Sequence, residues 1–228
     1  DIQAGAAGEV PLQAGAGSLY GTPGTIGSDE LSMQAGGSIG LSTQALGTAV
    51  RLLAAQSGGS LFIAESNALT IGTSGAVSGL GAASNLVVLA QGAITNTRAV
   101  SAGRNLLLKS TSGQLDCRAQ VTSSNGCLSL QAQNHLLVSS NMFVLGGAGN
   151  LDAEASAGSI IMSNAASATT AGGNMRFRAG LDVAASRLSP GAGSLSVWAD
   201  RDVIDANAAA VNFEGSGLRV QAGRHFSS

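Results

Sequence analysis

Short apolar segments recur along the whole chain, and small or polar residues separate each segment from the next. In the clearest segments apolar residues alternate with other residues, as in Leu106-x-Leu108 and Leu195-x-Val197. This period of two is typical of a strand that buries one face. No stretch keeps the i, i+3, i+4, i+7 spacing over the roughly 10–12 residues that a helix needs. The pattern therefore predicts an all-β chain, despite its many alanines.

The alternating segments form a repeat with a period near 21 residues. Each unit begins at an apolar anchor and has a second apolar position eight or nine residues later. Many units have a third, weaker one 13 to 16 residues after the anchor. Three strands of about 4–6 residues, with the turns between them, fit into such a unit. The anchors are Val10, Leu31, Val50, Leu69, Leu86, Leu106, Leu128, Leu151, Met175, Leu195 and Leu218.

This arrangement predicts a right-handed parallel β-helix of about ten coils. Coils that stack about 4.8 Å apart give a rod roughly 50 Å long. A leucine-rich repeat has a similar period, but its L-x-x-L-x-L-x-x-N framework is not met here. We interpret residues 1–228 as a single β-helix repeat domain. We also interpret it as a piece of a longer chain, because Asp1 opens it without a start methionine or a signal segment.

A Gly-Asn pair stands before several anchors, as in Gly149-Asn150-Leu151 and again in Gly173-Asn174-Met175. Glycine adopts left-handed backbone at no steric cost, and asparagine tolerates it better than most residues. We therefore interpret the pair as a corner that leads into an inward-facing strand. The asparagines before four anchors are expected to form a ladder along the rod: Asn85, Asn105, Asn150 and Asn174.

Composition supports a folded chain built from small residues. Alanine, glycine and serine make up 102 of the 228 residues, and only 11% are charged, against about 25% in an average domain. A mean hydropathy of +0.27 with three prolines is not typical of disorder. A net charge of −2 gives no reason to expect nucleic acid as a partner. Aliphatic runs such as residues 86–90 are far shorter than the ~20 residues of a membrane span, so we expect no membrane insertion.

Two aspartates are the candidates for chemistry, because Asp182 and Asp202 each follow their anchor by seven residues. They are expected to stack on one face about one strand spacing apart. Paired carboxylates could hold calcium or perform acid–base chemistry. Alternatively, nearby arginines neutralise them as a surface charge ladder: Arg178, Arg201 and Arg224. The same seventh position holds His135 and His225 in other coils, which favours a simple polar corner.

Two further features leave alternatives open, and no cofactor is expected. Cys117 and Cys127 lie ten residues apart and could form a disulfide in an oxidising compartment, or Cys117 could face the core as a small apolar residue. Trp198 alternates with the inward residues of its strand and is expected to point outward. It would then be an adhesive contact, or it would pack against the stems of neighbouring arginines.

Three stretches resemble filamentous-haemagglutinin-type repeats: GRNLLLK at 103–109, GNMRFRAGLDV at 173–183 and GSLSVWADRDV at 193–203. The resemblance runs from about residue 10 to the C-terminus. Repeats of this family build the shafts of large exoproteins that Gram-negative bacteria secrete, often by two-partner secretion. The resemblance implies an extracellular or cell-surface rod that serves adhesion, biofilm formation or contact-dependent inhibition, and it supplies no catalytic motif.

Three classes of function follow as hypotheses. The first is a non-catalytic shaft of a surface adhesin or contact-dependent inhibition exoprotein, whose receptors or glycans are bound by other regions. The second is a self-assembling fibre or sheath subunit, whose partners are further copies of the chain. The third is a carbohydrate-active enzyme that uses the Asp182–Asp202 face. In the first two classes, neighbouring β-helix coils are the immediate partners of this segment.

Overall fold

The computed structural model describes residues 2–3, 8–21, 24–207 and 211–226. These residues form a parallel β-solenoid of about ten coils, in which equivalent strands recur about 22 residues apart. The described residues contain strands and turns but no helix, and hence none long and apolar enough to cross a membrane. The predicted all-β parallel solenoid is confirmed.

Each regular coil contributes one strand to each of three faces, which we call the first, second and third face. The first-face strands are Leu61–Glu65, Leu86–Ala90, Leu106–Ser110, Leu128–Ala132, Leu151–Ala155, Met175–Ala179, Ser194–Ala199 and Gly217–Ala222. The second-face strands are Leu69–Ile71, Ile94–Asn96, Leu115–Cys117, Leu136–Val138, Ile160–Met162, Val183–Ala185, Asp202–Asp205 and His225–Phe226. The third-face strands are Leu80–Ala82, Val100–Ala102, Val121–Ser123, Met142–Val144, Ser167–Thr170 and Arg187–Ser189.

The N-terminal coils have longer strands that bend around the corners. The longer strands are Glu9–Ala14, Thr25–Ala35 and Leu46–Ser57, and the two-residue strand Ile2–Gln3 precedes them. Strand Leu46–Ser57 pairs in turn with the first-, second- and third-face strands of the next coil, so it traverses all three faces. Every one of these pairings is parallel, which leaves the faces continuous from the N-terminal coils into the regular ones.

The core is a single apolar column inside the rod. A first-face strand such as Leu106–Ser110 alternates buried and partly exposed residues, as the period of two predicts. The buried apolar residues form one cluster, whose members range along the chain from Ile26 to Val203. Phe177 is the largest of the fully buried side chains. Its ladder neighbours are Ala153 on one side and Val197 on the other, so the ring fills space that the small alanine leaves.

The predicted anchors are confirmed from Leu86 onward but are wrong before it. From Leu86 to Leu218 each anchor is an inward residue of a first-face strand and pairs with the next anchor. Three earlier anchors, Val10, Leu31 and Leu69, instead lie on the second face, and Val50 lies just before it. The first-face positions of these coils are Leu19, Ile39 and Leu61.

The spacing places the anchors before Leu86 on the wrong face because a hairpin lengthens one N-terminal coil. Strands Thr73–Ser74 and Val77–Ser78 pair antiparallel between the second- and third-face strands of that coil. The hairpin reaches back along the rod to Glu9, whose Oε1 accepts hydrogen bonds from Ser74 Oγ at 3.2 Å and Ser32 Oγ at 3.0 Å. This insertion carries its own apolar residue, Val77, which is buried and mimics a repeat position.

The asparagine ladder is confirmed, but not for the backbone reason expected of it. No described non-glycine residue has a positive φ. Each asparagine instead uses its side-chain oxygen to accept the backbone N–H one coil further on. Asn150 Oδ1 accepts from Asn174 N at 2.8 Å, and Asn174 Oδ1 accepts from Ser194 N at 2.9 Å. Asn85 and Asn105 make the same bonds in their coils.

The glycine before the asparagine is required by close stacking of the coils. Gly149 and Gly173 do not have positive φ values. A Cβ atom added to Gly173 would lie 1.9 Å from the carbonyl oxygen of Gly149, far inside van der Waals contact. The Gly-Asn pair is therefore a corner, as predicted, in which glycine permits the approach of two backbones and asparagine bonds them together.

We expect Gly173→Ala to lower the free energy of unfolding by about 1–3 kcal/mol, the usual cost of overpacking. The added methyl group meets backbone rather than a movable side chain, so the two coils must separate locally. The measurement is urea denaturation followed by circular dichroism. Gly15→Ala is the control, because a Cβ there meets nothing within 4 Å. Equal stability of the two variants would contradict the stacking argument.

Candidate functional site

The corner between the first and second faces carries a column of polar side chains, which we call the polar corner. Its members lie one coil apart, and each accepts the backbone N–H of the next. His135 Nδ1 accepts from Ser159 N at 3.1 Å, and Ser159 Oγ accepts from Asp182 N at 3.2 Å. Asp182 Oδ1 accepts from Asp202 N at 3.3 Å, and Asp202 Oδ1 accepts from His225 N at 3.1 Å. The predicted stacking of these residues is confirmed.

Both aspartates of the polar corner pair with an arginine from the following coil. Arg201 binds Asp182 through two nitrogens, with Nε 3.0 Å from Oδ1. Arg224 Nη2 lies 2.8 Å from Asp202 Oδ2. The hydrogen bond from Arg201 holds the pKa of the Asp182 carboxyl below its ordinary value, against the opposing effect of burial. The corner therefore forms the surface charge ladder considered from the sequence, with Arg201 and Arg224 as its cations.

This geometry argues against a general-acid role for Asp182. A general acid at neutral pH needs a raised pKa, whereas the pKa of Asp182 is lowered. Calcium takes six to eight oxygen ligands, usually from several carboxylates and carbonyls. The described part of the chain contains no group of three or more His, Cys, Asp or Glu side chains placed to hold a metal ion.

The Asp182–Arg201 pair predicts an acid-sensitive contribution to stability. Because the folded-state pKa of Asp182 is depressed, this contribution is present above its unfolded value near 3.8 and is lost as the pH falls through the lower folded value. The pair is partly exposed, so we expect at most about 1 kcal/mol. Urea denaturation at pH 7 and pH 2.5 measures it. Asp182→Asn and Arg201→Gln should remove the same portion of the pH dependence, and an unchanged dependence in either would refute the assignment.

The two cysteines are free thiols, so the disulfide considered from the sequence is not formed in the structure. Cys117 faces inward on the second face, and Cys127 is exposed just before a first-face strand. Burial, with a smaller effect of Asp116, raises the pKa of the Cys117 thiol to about 12. Cys117 therefore acts as a small core residue, as the alternative interpretation had it.

Trp198 lies on the outer surface of the first face and is 41% exposed. The guanidinium carbon of Arg178, its ladder neighbour, lies 5.9 Å from the ring centroid, within the range of a cation–π contact. The indole Nε1–H donates to Asp200 at 3.0 Å. The predicted outward orientation and the packing against an arginine are both confirmed. Arg178 thus belongs to this contact and not to the charge ladder of the polar corner.

An open groove of about 650 Å³ runs along the rod beside Trp198, and we call it the axial trough. It crosses four coils where the first-face strands begin. One wall is the outward column that directly follows the anchors, and the other is the corner column that precedes them. Its lining residues are Asn150, Leu151, Asp152, Asn174, Met175, Arg176, Ser194, Leu195, Ser196, Gly217, Leu218 and Arg219.

Sequence reasoning missed the axial trough, although a signal for it was present. Asp152, Arg176, Ser196 and Arg219 each stand one residue after an anchor, and the alternation predicts that they point outward in one column. Arg176 makes a two-point contact with Asp152, with both nitrogen–oxygen distances at 2.7 Å. Paired carboxylates are a more familiar signal than an outward column whose residue types differ from coil to coil.

Comparison of the chain with protein-family models, with curated proteins and with solved structures gave no match in any of the three.

Proposed function

We propose that this chain is a non-catalytic segment of a bacterial surface rod, the shaft of a large adhesin or contact-dependent inhibition exoprotein. The observation that carries the proposal is the use of polar side chains to join coils. Asparagine, aspartate and histidine side chains accept backbone N–H groups one coil away, and arginines pair with carboxylates of adjacent coils. This bonding favours length and stiffness over a reactive cleft.

A spacer role fits the physics of the solenoid. Ten coils at about 4.8 Å give a rod near 50 Å, and the strands of each regular coil pair only with those of its neighbours, so length can grow without a new fold. The resemblance to filamentous-haemagglutinin-type repeats supports the same role and an extracellular or cell-surface location. In such a shaft the parts that bind a receptor lie in other regions.

Surface labelling of the source bacterium tests the proposal. Antibodies raised against the folded chain should label intact cells, and external protease should remove the label. Lysed cells serve as the control for total antigen. Labelling that requires lysis would refute a surface shaft. Hydrolysis of a polysaccharide by the purified chain, lost in Asp202→Asn, would refute the non-catalytic role in favour of the carbohydrate-active enzyme.

A self-assembling fibre or sheath subunit is the second candidate, and it rests on the last described coil. There Leu218 is 56% exposed and Phe226 is 53% exposed, although their ladder positions face the core in other coils. The rings of Phe213 and Phe226 stack with centroids 6.3 Å apart. Electron microscopy of the purified chain distinguishes the candidates: filaments that Leu218→Lys abolishes favour assembly, and single short rods favour the shaft.

A further inference from the structure

Several side chains of the axial trough present hydrogen-bond donors. The side-chain oxygens of Asn150 and Asn174 accept backbone N–H groups, so each amide is oriented with its Nδ2 group left over. Neither Nδ2 group has a hydrogen-bond partner among the described residues. Ser194 and Ser196 add hydroxyl groups to the lining, and they continue the two wall columns. A ligand for this trough must therefore be rich in acceptor oxygens.

The lining contains one guanidinium group more than it has carboxylates. Two guanidinium groups, those of Arg176 and Arg219, line the trough against the single carboxylate of Asp152. Arg176 is held by that carboxylate and by Glu154 Oε2 at 3.2 Å. Arg219 donates to Gln221 at 3.3 Å and forms no ion pair with the described carboxylates. Its guanidinium can take an oxyanion in two-point geometry.

The exposed ring of Trp198 stands next to this row of donors. Trp198 and Ser196 both point outward from one strand, about 7 Å apart at the usual rise per residue. The guanidinium carbon of Arg178 lies 5.9 Å from the ring centroid, and the indole Nε1–H donates to Asp200. An aromatic surface beside converging polar groups is the usual composition of a site for an amphipathic ligand.

An extended polysaccharide matches this combination better than a peptide does. Three of the four strands at the trough, for example Met175–Ala179, are paired on both sides, so along most of its length the trough offers no free edge for a peptide strand. The lining has no deep apolar pocket for side chains of a peptide. Sugar rings carry many oxygen acceptors and an apolar C–H face that stacks on an indole.

We propose that the axial trough binds a segment of an acidic polysaccharide whose uronic acid carboxylates contact Arg219 and whose rings pack against Trp198. The trough is about 14 Å long, because it spans three coil intervals of about 4.8 Å each. One sugar unit is about as long as one interval, so roughly three units fit. This inference goes beyond the spacer role, because it gives the side of the rod a ligand of its own. It requires only the folded chain, so it stands or falls separately from surface display.

The experiment uses a tetramer to hexamer of uronic acid residues as the probe and a neutral glucose oligomer of the same length as its counterpart. Trp198 is the only tryptophan of the chain and lies beside the lining residue Ser196, so its fluorescence reports a ligand whose rings reach from the trough to the indole. We expect saturable binding of the acidic probe that weakens with added salt. Binding of the neutral probe should be at least 10-fold weaker.

Two variants and one matched control locate the site. Arg219→Ala, read by fluorescence, and Trp198→Ala, read by calorimetry, should each weaken binding of the acidic probe at least 10-fold. Arg104→Ala is the control: Arg104 is exposed at the same corner but outside the trough, so this variant should bind as the parent does. Circular dichroism checks that all variants fold. Absence of saturable binding, equal affinity for the neutral probe, or equal loss in the control overturns the proposal.

Discussion

Phe177→Ala is expected to lower the free energy of unfolding by about 3–5 kcal/mol, the range for removing a buried aromatic ring. Phe177 is fully buried, and its neighbour on one side is the small Ala153, which cannot fill the cavity. The continuous ladders on both sides restrict collapse of the coils into the space. Urea denaturation followed by the fluorescence of Trp198, in the next coil, measures the loss.

Phe143→Ala is the matched control for that prediction. Phe143 points outward on the third face and stands between Thr122 and Thr169 in its ladder. Removing its partly exposed ring opens no enclosed cavity, so we expect a loss well below that of Phe177→Ala. Equal losses would mean that the ring of Phe177 is not part of a closely packed interior.

Glu65→Ala is expected to cost about 2–4 kcal/mol, because it leaves buried hydrogen-bond donors without acceptors. Glu65 is 2% exposed and faces the inside of a corner. Its carboxylate accepts from Thr48 Oγ1 at 2.7 Å, from Val50 N at 3.1 Å and from Asn67 N at 2.9 Å. An alanine fits there sterically, since Ala90 holds the same ladder position one coil on. The loss therefore measures unsatisfied polar groups and not overpacking.

Urea denaturation gives the stability of this variant, and amide hydrogen exchange gives the location of the effect. Exchange at Val50 and Asn67 should quicken in Glu65→Ala more than exchange in distant coils. Glu154→Ala is the control, because Glu154 is partly exposed and pairs with Arg176 at the surface. Such pairs contribute about 0–1 kcal/mol. A Glu65 variant as stable as this control would show that water replaces the lost acceptor.

The fold could be predicted from the sequence because alternation and period survive in every regular coil. From Leu86 onward the anchor leucines and methionine mark each first-face strand, and the structure pairs them in register. In the N-terminal coils the long strands place similar apolar pairs on two faces, so Leu31 and Leu69 look like first-face residues. The hairpin Thr73–Ser78 then shifts the spacing by an amount that the repeat itself does not contain.

The Gly-Asn corners are correctly predicted, but the physical reason for these residues differs from the predicted one. Glycine and asparagine were expected there for their tolerance of left-handed backbone. The structure instead needs Gly173 because the carbonyl of Gly149 lies where a Cβ would be. It needs Asn174 because an acceptor must meet the next backbone N–H. Both reasons concern the neighbouring coil, so they become visible only once coils are stacked.

The two candidate sites differ in how far the sequence could lead. Asp182 and Asp202 could be placed together because they stand at equal distances from their anchors, and each arginine partner directly precedes the corner position of the next coil. The axial trough could not be found in that way, because its walls combine positions before and after four anchors. A cavity of this kind depends on the exact register and on which side-chain atoms the ladders leave unused.

The corner and core ladders have a consequence for how such a gene can change in length. Leu128–Ala132 pairs with Leu106–Ser110 on one side and Leu151–Ala155 on the other through equivalent residues. Removal of one whole unit by recombination would therefore bring together two strands that already share register and corner chemistry. Unequal crossing-over between repeats would yield shorter or longer folded rods in single steps. Selection could then adjust the length of the rod independently of the residues that each coil carries.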